Sequence, residues 1–174
     1  MMAFSQTTLY LFSGLPGSGK TTLSQALASR MGAAHLRIDT IEQALRDLCS
    51  VEVQGEGYRL AYRVAGDILR SGVSVTADSC NPIELTRREW EQVARDAGVL
   101  YVNIEVICSN SGEHRKRVET RGATGPGLRL PTWQNVLDRE YDSWSVSRIV
   151  IDTANRSTED SVDALMADLA ALKA

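Results

Sequence analysis

Between a short β-like run, Thr7 to Phe12, and a stretch of helical period carrying Leu23, Ala26, Leu27 and Met31 lies Gly14-Leu15-Pro16-Gly17-Ser18-Gly19-Lys20-Thr21. This spacing commits its surroundings. The glycines let the backbone wrap closely round an anion, and the helix behind them must point its N-terminus into the same space. Lys20 then meets the outer phosphates of a nucleotide, and the Thr21 hydroxyl is placed for Mg²⁺. The set expected to touch phosphate is Gly14, Pro16, Gly17, Ser18, Gly19, Lys20, Thr21 and Thr22, with ATP and Mg²⁺ as the implied ligands.

The rest of the chain alternates short β-like runs with longer helical stretches, the pattern of an α/β sheet with covering helices. Strands are expected at His35–Ile38, Val73–Ala77, Val99–Cys108 and Arg148–Ile151. Helices are expected on Ile41, Ala44, Leu45 and Leu48, on Tyr58 to Leu69, from Pro82 to Gly98 behind Asn81, and from about Gly112 to Arg121. After the glycine-rich GATGPGLRLP, one further helix should carry Trp133, Val136, Leu137, Tyr141 and Trp144, and a last one Val162, Leu165, Met166, Leu169 and Leu172. With 174 residues the whole reads as a single domain, 1–174, with a short lid at about 112–131.

Charge and composition narrow the function. A net charge of −3 does not suit a large phosphate-tracking surface, so nucleic acid is a secondary expectation. No apolar run approaches the roughly 20 residues that cross a bilayer. The start MMAFSQTT lacks basic residues ahead of Leu9–Phe12, from which neither a signal nor a transit peptide is expected, and a cytoplasmic location is. The three cysteines, Cys49, Cys80 and Cys108, are scattered without a Cys-x-x-Cys pair, and no zinc site is expected.

Four other residues are singled out. Asp39 ends the second strand and opens Asp39-Thr40-Ile41-Glu42, the pattern of a capping box, so its carboxylate has both a local role and a place beside the crevice of an open α/β sheet. Asp78 ends the third strand, where a turn or an Asx cap ahead of Pro82 would also explain it. Arg117 and Arg121, four apart on one basic helical face, suit phosphate, and Arg121 adjoins the glycine-rich segment that could close it over ATP. Arg115, Lys116 and Arg129 add to that positive region. Arg87 and Arg88 read as solvated surface or contacts to an acidic substrate, and Asn155 and Arg156 lie in the loop after the last strand.

GLPGSGKTT at 14–22, RIDT at 37–40, VTADSCNP at 75–82 and the Arg-bearing helix to Arg121 together resemble the P-loop kinases related to polynucleotide kinase, chloramphenicol phosphotransferase, zeta toxin and gluconate kinase. The resemblance spans about residues 7–172. It implies a nucleoside-monophosphate-kinase-like three-layer sandwich, with five parallel strands in the order 2-3-1-4-5 and a short lid. It further implies that Asp39 is the base for an acceptor hydroxyl, that Asp78 lies near metal and acceptor, and that Arg121 assists transfer. Glu42 stands where polynucleotide kinases carry a phosphate-binding Arg, which points away from nucleic acid. The expected activity is transfer of the γ-phosphoryl group of ATP to a small-molecule hydroxyl. A 5′-hydroxyl nucleic-acid kinase and a nucleotide-dependent regulatory module are the alternatives.

Overall fold

The computed structural model describes residues 6–122 and 130–172. Along the chain run β1 (Thr8–Ser13), α1 (Lys20–Met31), β2 (Ala34–Arg37), α2 (Ile38–Cys49), α3 (Glu56–Arg70), β3 (Val75–Asp78), α4 (Glu84–Ala97), β4 (Leu100–Ile107), α5 (Ser111–Thr120), α6 (Trp133–Leu137), β5 (Ile149–Asp152) and α7 (Thr158–Ala171). The five strands are parallel and ordered β2-β3-β1-β4-β5, as the resemblance implied. β1 is central, with Phe12 opposite Asp78 on one side and Ile104 on the other. The carboxyl ends of β1, β2 and β3 therefore open at one edge, where sheets of this kind bind ligands.

Because strand side chains alternate, β1 feeds two cores. Leu9 and Leu11 join Leu36, Ile38, Ala61, Ala65, Leu69 and Trp90 on the face covered by α2, α3 and α4. Tyr10 and Phe12 join Leu23, Leu27, Ile104, Ile151 and Leu165 beneath α1 and α7. Trp90 is fully buried and meets Tyr62 edge-on, ring centroids 4.7 Å apart. Among the described residues no helix is long and apolar enough to cross a membrane.

Three local expectations are corrected. β2 stops at Arg37, so Ile38 and Asp39 belong to α2, whose N-cap is Arg37 and has no side-chain cap hydrogen bond; Asp39 lies inside the first turn, and the capping box does not form. α4 begins at Glu84 rather than Pro82, because Asn81 takes φ 43° and donates from Nδ2 to the Phe12 carbonyl (3.3 Å) and the Ser13 hydroxyl (3.1 Å). The helix from Trp133 ends at Leu137, and Tyr141 and Trp144 leave it to stack on Arg87, whose guanidinium carbon lies 4.8 and 4.1 Å from their ring centroids.

Arg87 is thus buried rather than solvated. It is 3% exposed and donates to the carbonyls of Asn81 (2.9 Å), Pro82 (3.2 Å), Asp142 (3.0 Å) and Ser143 (3.4 Å), binding the irregular 139–148 stretch to α4. Arg88 forms a surface pair with Glu84 at 2.7 Å. Of the stretch read as a lid, α5, Arg121, Gly122, Leu130 and Pro131 are described, whereas residues 123–129, Arg129 included, lie outside the described residues.

Candidate active site

The loop from Gly14 to Gly19 is shaped by close approach. A Cβ on Gly14, at φ 144°, would lie 2.3 Å from the Val106 carbonyl oxygen, and one on Gly17, at φ 83°, would lie 2.5 Å from a Val118 methyl. Only glycine fits either place. Gly19 is the N-cap of α1 and supplies no side-chain cap, which leaves the first-turn N–H groups open to an anion.

Other elements clamp the loop from outside. The Gly14 N–H donates to the Cys80 carbonyl at 3.1 Å, and His114 of α5 donates from Nε2 to the Pro16 carbonyl at 2.8 Å. His114 is held in turn by Trp133 of α6, ring centroids 5.2 Å apart. Asn110 fixes the start of α5 by accepting from the Glu113 N–H. Beyond β5, the Thr153 hydroxyl donates to the Ser18 carbonyl at 2.8 Å.

Lys20 is 7% exposed at the loop's end. Burial alone would lower its pKa, but Cys80, Asp78 and Asp39 nearby outweigh that, and the pKa lies above the ordinary lysine value. The ammonium stays charged. Asp78 is 2% exposed, and neither carboxylate oxygen accepts a hydrogen bond among the described residues; Arg37 Nε stands 3.8 Å away. Asp39 is different. Its side chain is 52% exposed, with Arg37 at 3.3 Å.

Two cavities flank Lys20. One, about 940 Å³, runs over Gly17, Gly19, Thr22, Arg117, Thr153 and Arg156. The other, about 770 Å³, is lined by Asp39, Glu42, Arg46, Tyr58, Cys80 and Arg139, among others. Both include Lys20, Thr21, Arg37, Arg121 and Leu130. Arg121 closes α5, half-buried, with its Nε unpartnered among the described residues, and burial holds its pKa below the ordinary value against the pull of Asp39. In the second cavity, burial raises the pKa of both Glu42 and Tyr58. A cation-walled junction between two cavities is an arrangement for moving an anionic group from one occupant to another.

The profile of the AAA domain family matches residues 9–140, well over half of the chain. The chain belongs to that family. This AAA domain sits within the nucleoside-monophosphate-kinase-like group of P-loop kinases, and it is an ATP-dependent kinase. An adenylyl-sulfate kinase from Synechococcus sp. (strain JA-3-3Ab) is 28% identical over 169 residues, covering 91% of each chain. The structure of Mycobacterium tuberculosis APS kinase in complex with AMPPNP and APS superposes with a TM-score of 0.68 at 19% identity, over 94% of this chain and 98% of that one. A gluconokinase from Sinorhizobium meliloti 1021 gives a TM-score of 0.64 at 19% identity, over 97% and 94%.

The AAA domain brings Lys20, Thr21, Asp39 and Arg121 around one junction, with Asp78 buried beside Lys20. Arg117 lines the larger cavity with Arg121 but does not reach the smaller one. Its guanidinium donates to the Thr153 hydroxyl (2.7 Å), the Thr153 carbonyl (2.9 Å) and Glu113 (2.5 Å). Glu113 also accepts from the Asn155 N–H at 2.9 Å, and Arg156 lines the larger cavity. Sequence reasoning missed Thr153, His114 and Glu113. None lies in a motif, and the one signal for Thr153 was its place just past the last strand.

Proposed function

We propose that this ATP-dependent phosphotransferase binds ATP in the larger cavity and a small hydroxyl-bearing acceptor in the smaller one, and transfers the γ-phosphoryl group where they meet. The observation that carries the reading is the shared wall of Lys20, Thr21 and Arg121. The loop from Gly14 to Thr22 holds the phosphates by backbone N–H groups, and Lys20 neutralises the transferred group. Arg121 adds a second cation there. The acceptor oxygen bonds to the γ-phosphorus, the bond to the bridging oxygen breaks, ADP leaves, and the hydroxyl proton passes to Asp39.

Mg²⁺ fits the oxygen donors present. A carboxylate buried to 2% exposure that accepts no hydrogen bond among the described residues, as in Asp78, and a hydroxyl at Thr21 are hard ligands suited to an ion that keeps most of its waters. Asp78 and Thr21 would hold it, and it would screen the charge between the β- and γ-phosphates.

A small molecule is supported over nucleic acid by the chain's net charge of −3, which does not suit a long phosphate-tracking surface, and by Glu42 in the acceptor wall where polynucleotide kinases carry an Arg. The names of the relatives suggest adenylyl sulfate and gluconate as first acceptors to try. The test is ADP release measured against a panel of those two, nucleosides, other sugars, antibiotics and 5′-hydroxyl oligonucleotides. Turnover that depends on a small acceptor is expected. Slow hydrolysis indifferent to every acceptor would replace the kinase reading with a nucleotide switch.

A further inference from the structure

We infer that Thr153 is a positioning residue for the phosphate-binding loop, joining it to Arg117 through one hydroxyl, and that Arg117 therefore serves ATP binding while Arg121 is left for the transfer step. The inference rests on the nucleotide reading above. Thr153 is 5% exposed, immediately after β5, and three elements converge on it. Its N–H donates to the Ile107 carbonyl at 2.9 Å, fixing it to the end of β4. Its hydroxyl accepts from Arg117 at 2.7 Å. The single hydroxyl proton has two carbonyls in reach, Ser18 at 2.8 Å and Ile107 at 3.1 Å, and the shorter contact is to Ser18. The methyl group fills the space beside Gly19, where an added Cβ would lie 3.3 Å from it.

Donation runs in a chain from the Arg117 guanidinium through the Thr153 hydroxyl to the Ser18 carbonyl, while Glu113 accepts from the other nitrogen of the same guanidinium and holds it in place. Hydrogen bonds in series polarise one another. Donation to the Ser18 carbonyl enlarges the dipole of the Ser18–Gly19 peptide, whose N–H lies in the anion-binding loop. The chain thus orients that peptide and strengthens it as a donor to phosphate. Arg117, occupied by Thr153 and Glu113, is built into the loop's foundation, whereas Arg121 has a buried Nε without a partner among the described residues. Removing the Thr153 hydroxyl should therefore weaken the ground-state hold on polyphosphate and leave the chemical step nearly as fast.

The experiment compares Thr153→Val, Thr153→Ser, Arg117→Met and the Val/Met double variant. Affinity for a non-hydrolysable ATP analogue and for inorganic tripolyphosphate is measured by calorimetry, well below each melting temperature, and KM and kcat by ADP release with the best acceptor of the panel. Thr153→Val should lose roughly tenfold in affinity for both ligands and raise KM for ATP likewise, with kcat within about threefold of wild type. Thr153→Ser should restore most of the loss. The double variant should bind no worse than the weaker single one, since both changes break the same chain. Unchanged affinity in Thr153→Val, a loss in kcat without one in KM, or losses that add in the double variant would overturn the inference. So would a defect in Thr153→Ser equal to that of Thr153→Val, which would mark a packing role. Failure of wild type to bind either ligand would instead remove the nucleotide reading itself.

Discussion

Replacing Asp39 by Asn separates the two roles its carboxylate has been given. The structural cost is small. Asp39 is not the N-cap of α2, so no capping hydrogen bond is lost, and its side chain is 52% exposed with one ion pair to Arg37 at 3.3 Å. A charge in the first turn of a helix contributes about 0.3–1 kcal/mol, and an exposed pair has a median near 0–1 kcal/mol, further reduced by solvent screening. The variant should melt within about 4 °C of wild type, since 1 kcal/mol moves a domain of this size by about 2–4 °C. The catalytic cost is larger. A general base contributes about 10²–10⁴-fold, equivalent to about 2.7–5.4 kcal/mol of barrier, and an amide cannot take the proton. Single-turnover transfer to the panel's best acceptor, alongside melting and ATP affinity, gives the comparison. Transfer should fall by at least about a hundredfold with ATP affinity preserved. If Asp39→Asn transfers within a few-fold of wild type, the proton goes elsewhere and Asp78 is the next carboxylate to test.

Three further outcomes follow from the geometry. Gly14→Ala should abolish ATP binding and lower the melting temperature, because its Cβ would meet the Val106 carbonyl oxygen at 2.3 Å; calorimetric binding at wild-type strength would contradict the loop geometry. Arg87→Met should cost at least about 3 kcal/mol, a fall of about 6–12 °C in melting, by leaving four carbonyls without their charged donor, while ATP affinity in the folded variant holds. Lys20 has a folded pKa above its unfolded value, so its contribution is complete below the unfolded pKa of 10.5 and is lost only as pH rises through the folded one. ATP affinity, titrated with pH, should show no loss traceable to this lysine between neutrality and about pH 10.

The phosphate-binding loop was legible because its causes are local: glycines at fixed spacing, a strand before and a helix after. The strand order came through resemblance, not through periodicity. Asp39 was assigned a cap because the strand was drawn one residue too long, and Ile38 packs as well at a helix start as at a strand end. Tyr141 and Trp144 keep helical spacing from Trp133, yet Arg87, more than fifty residues earlier, draws them out of the helix; no window along the chain contains that partner. Arg117 and Arg121 share a helical face on paper. Their division depends on Thr153, an ordinary residue in sequence whose importance comes from where β5 ends.

The alternation of β1 between two cores bears on how such a chain changes over generations. α2 and α3, which carry Asp39, Glu42, Arg46 and Tyr58 of the smaller cavity, rest on Leu9 and Leu11, whereas α1 and α7 rest on Tyr10 and Phe12 across the sheet. Replacements that repack the first set leave the second set's partners in place. On the proposed reading, a lineage built on this plan can alter part of its acceptor wall by rewriting two helices on one face, while the packing of α1 behind the phosphate-binding loop on the opposite face is inherited intact.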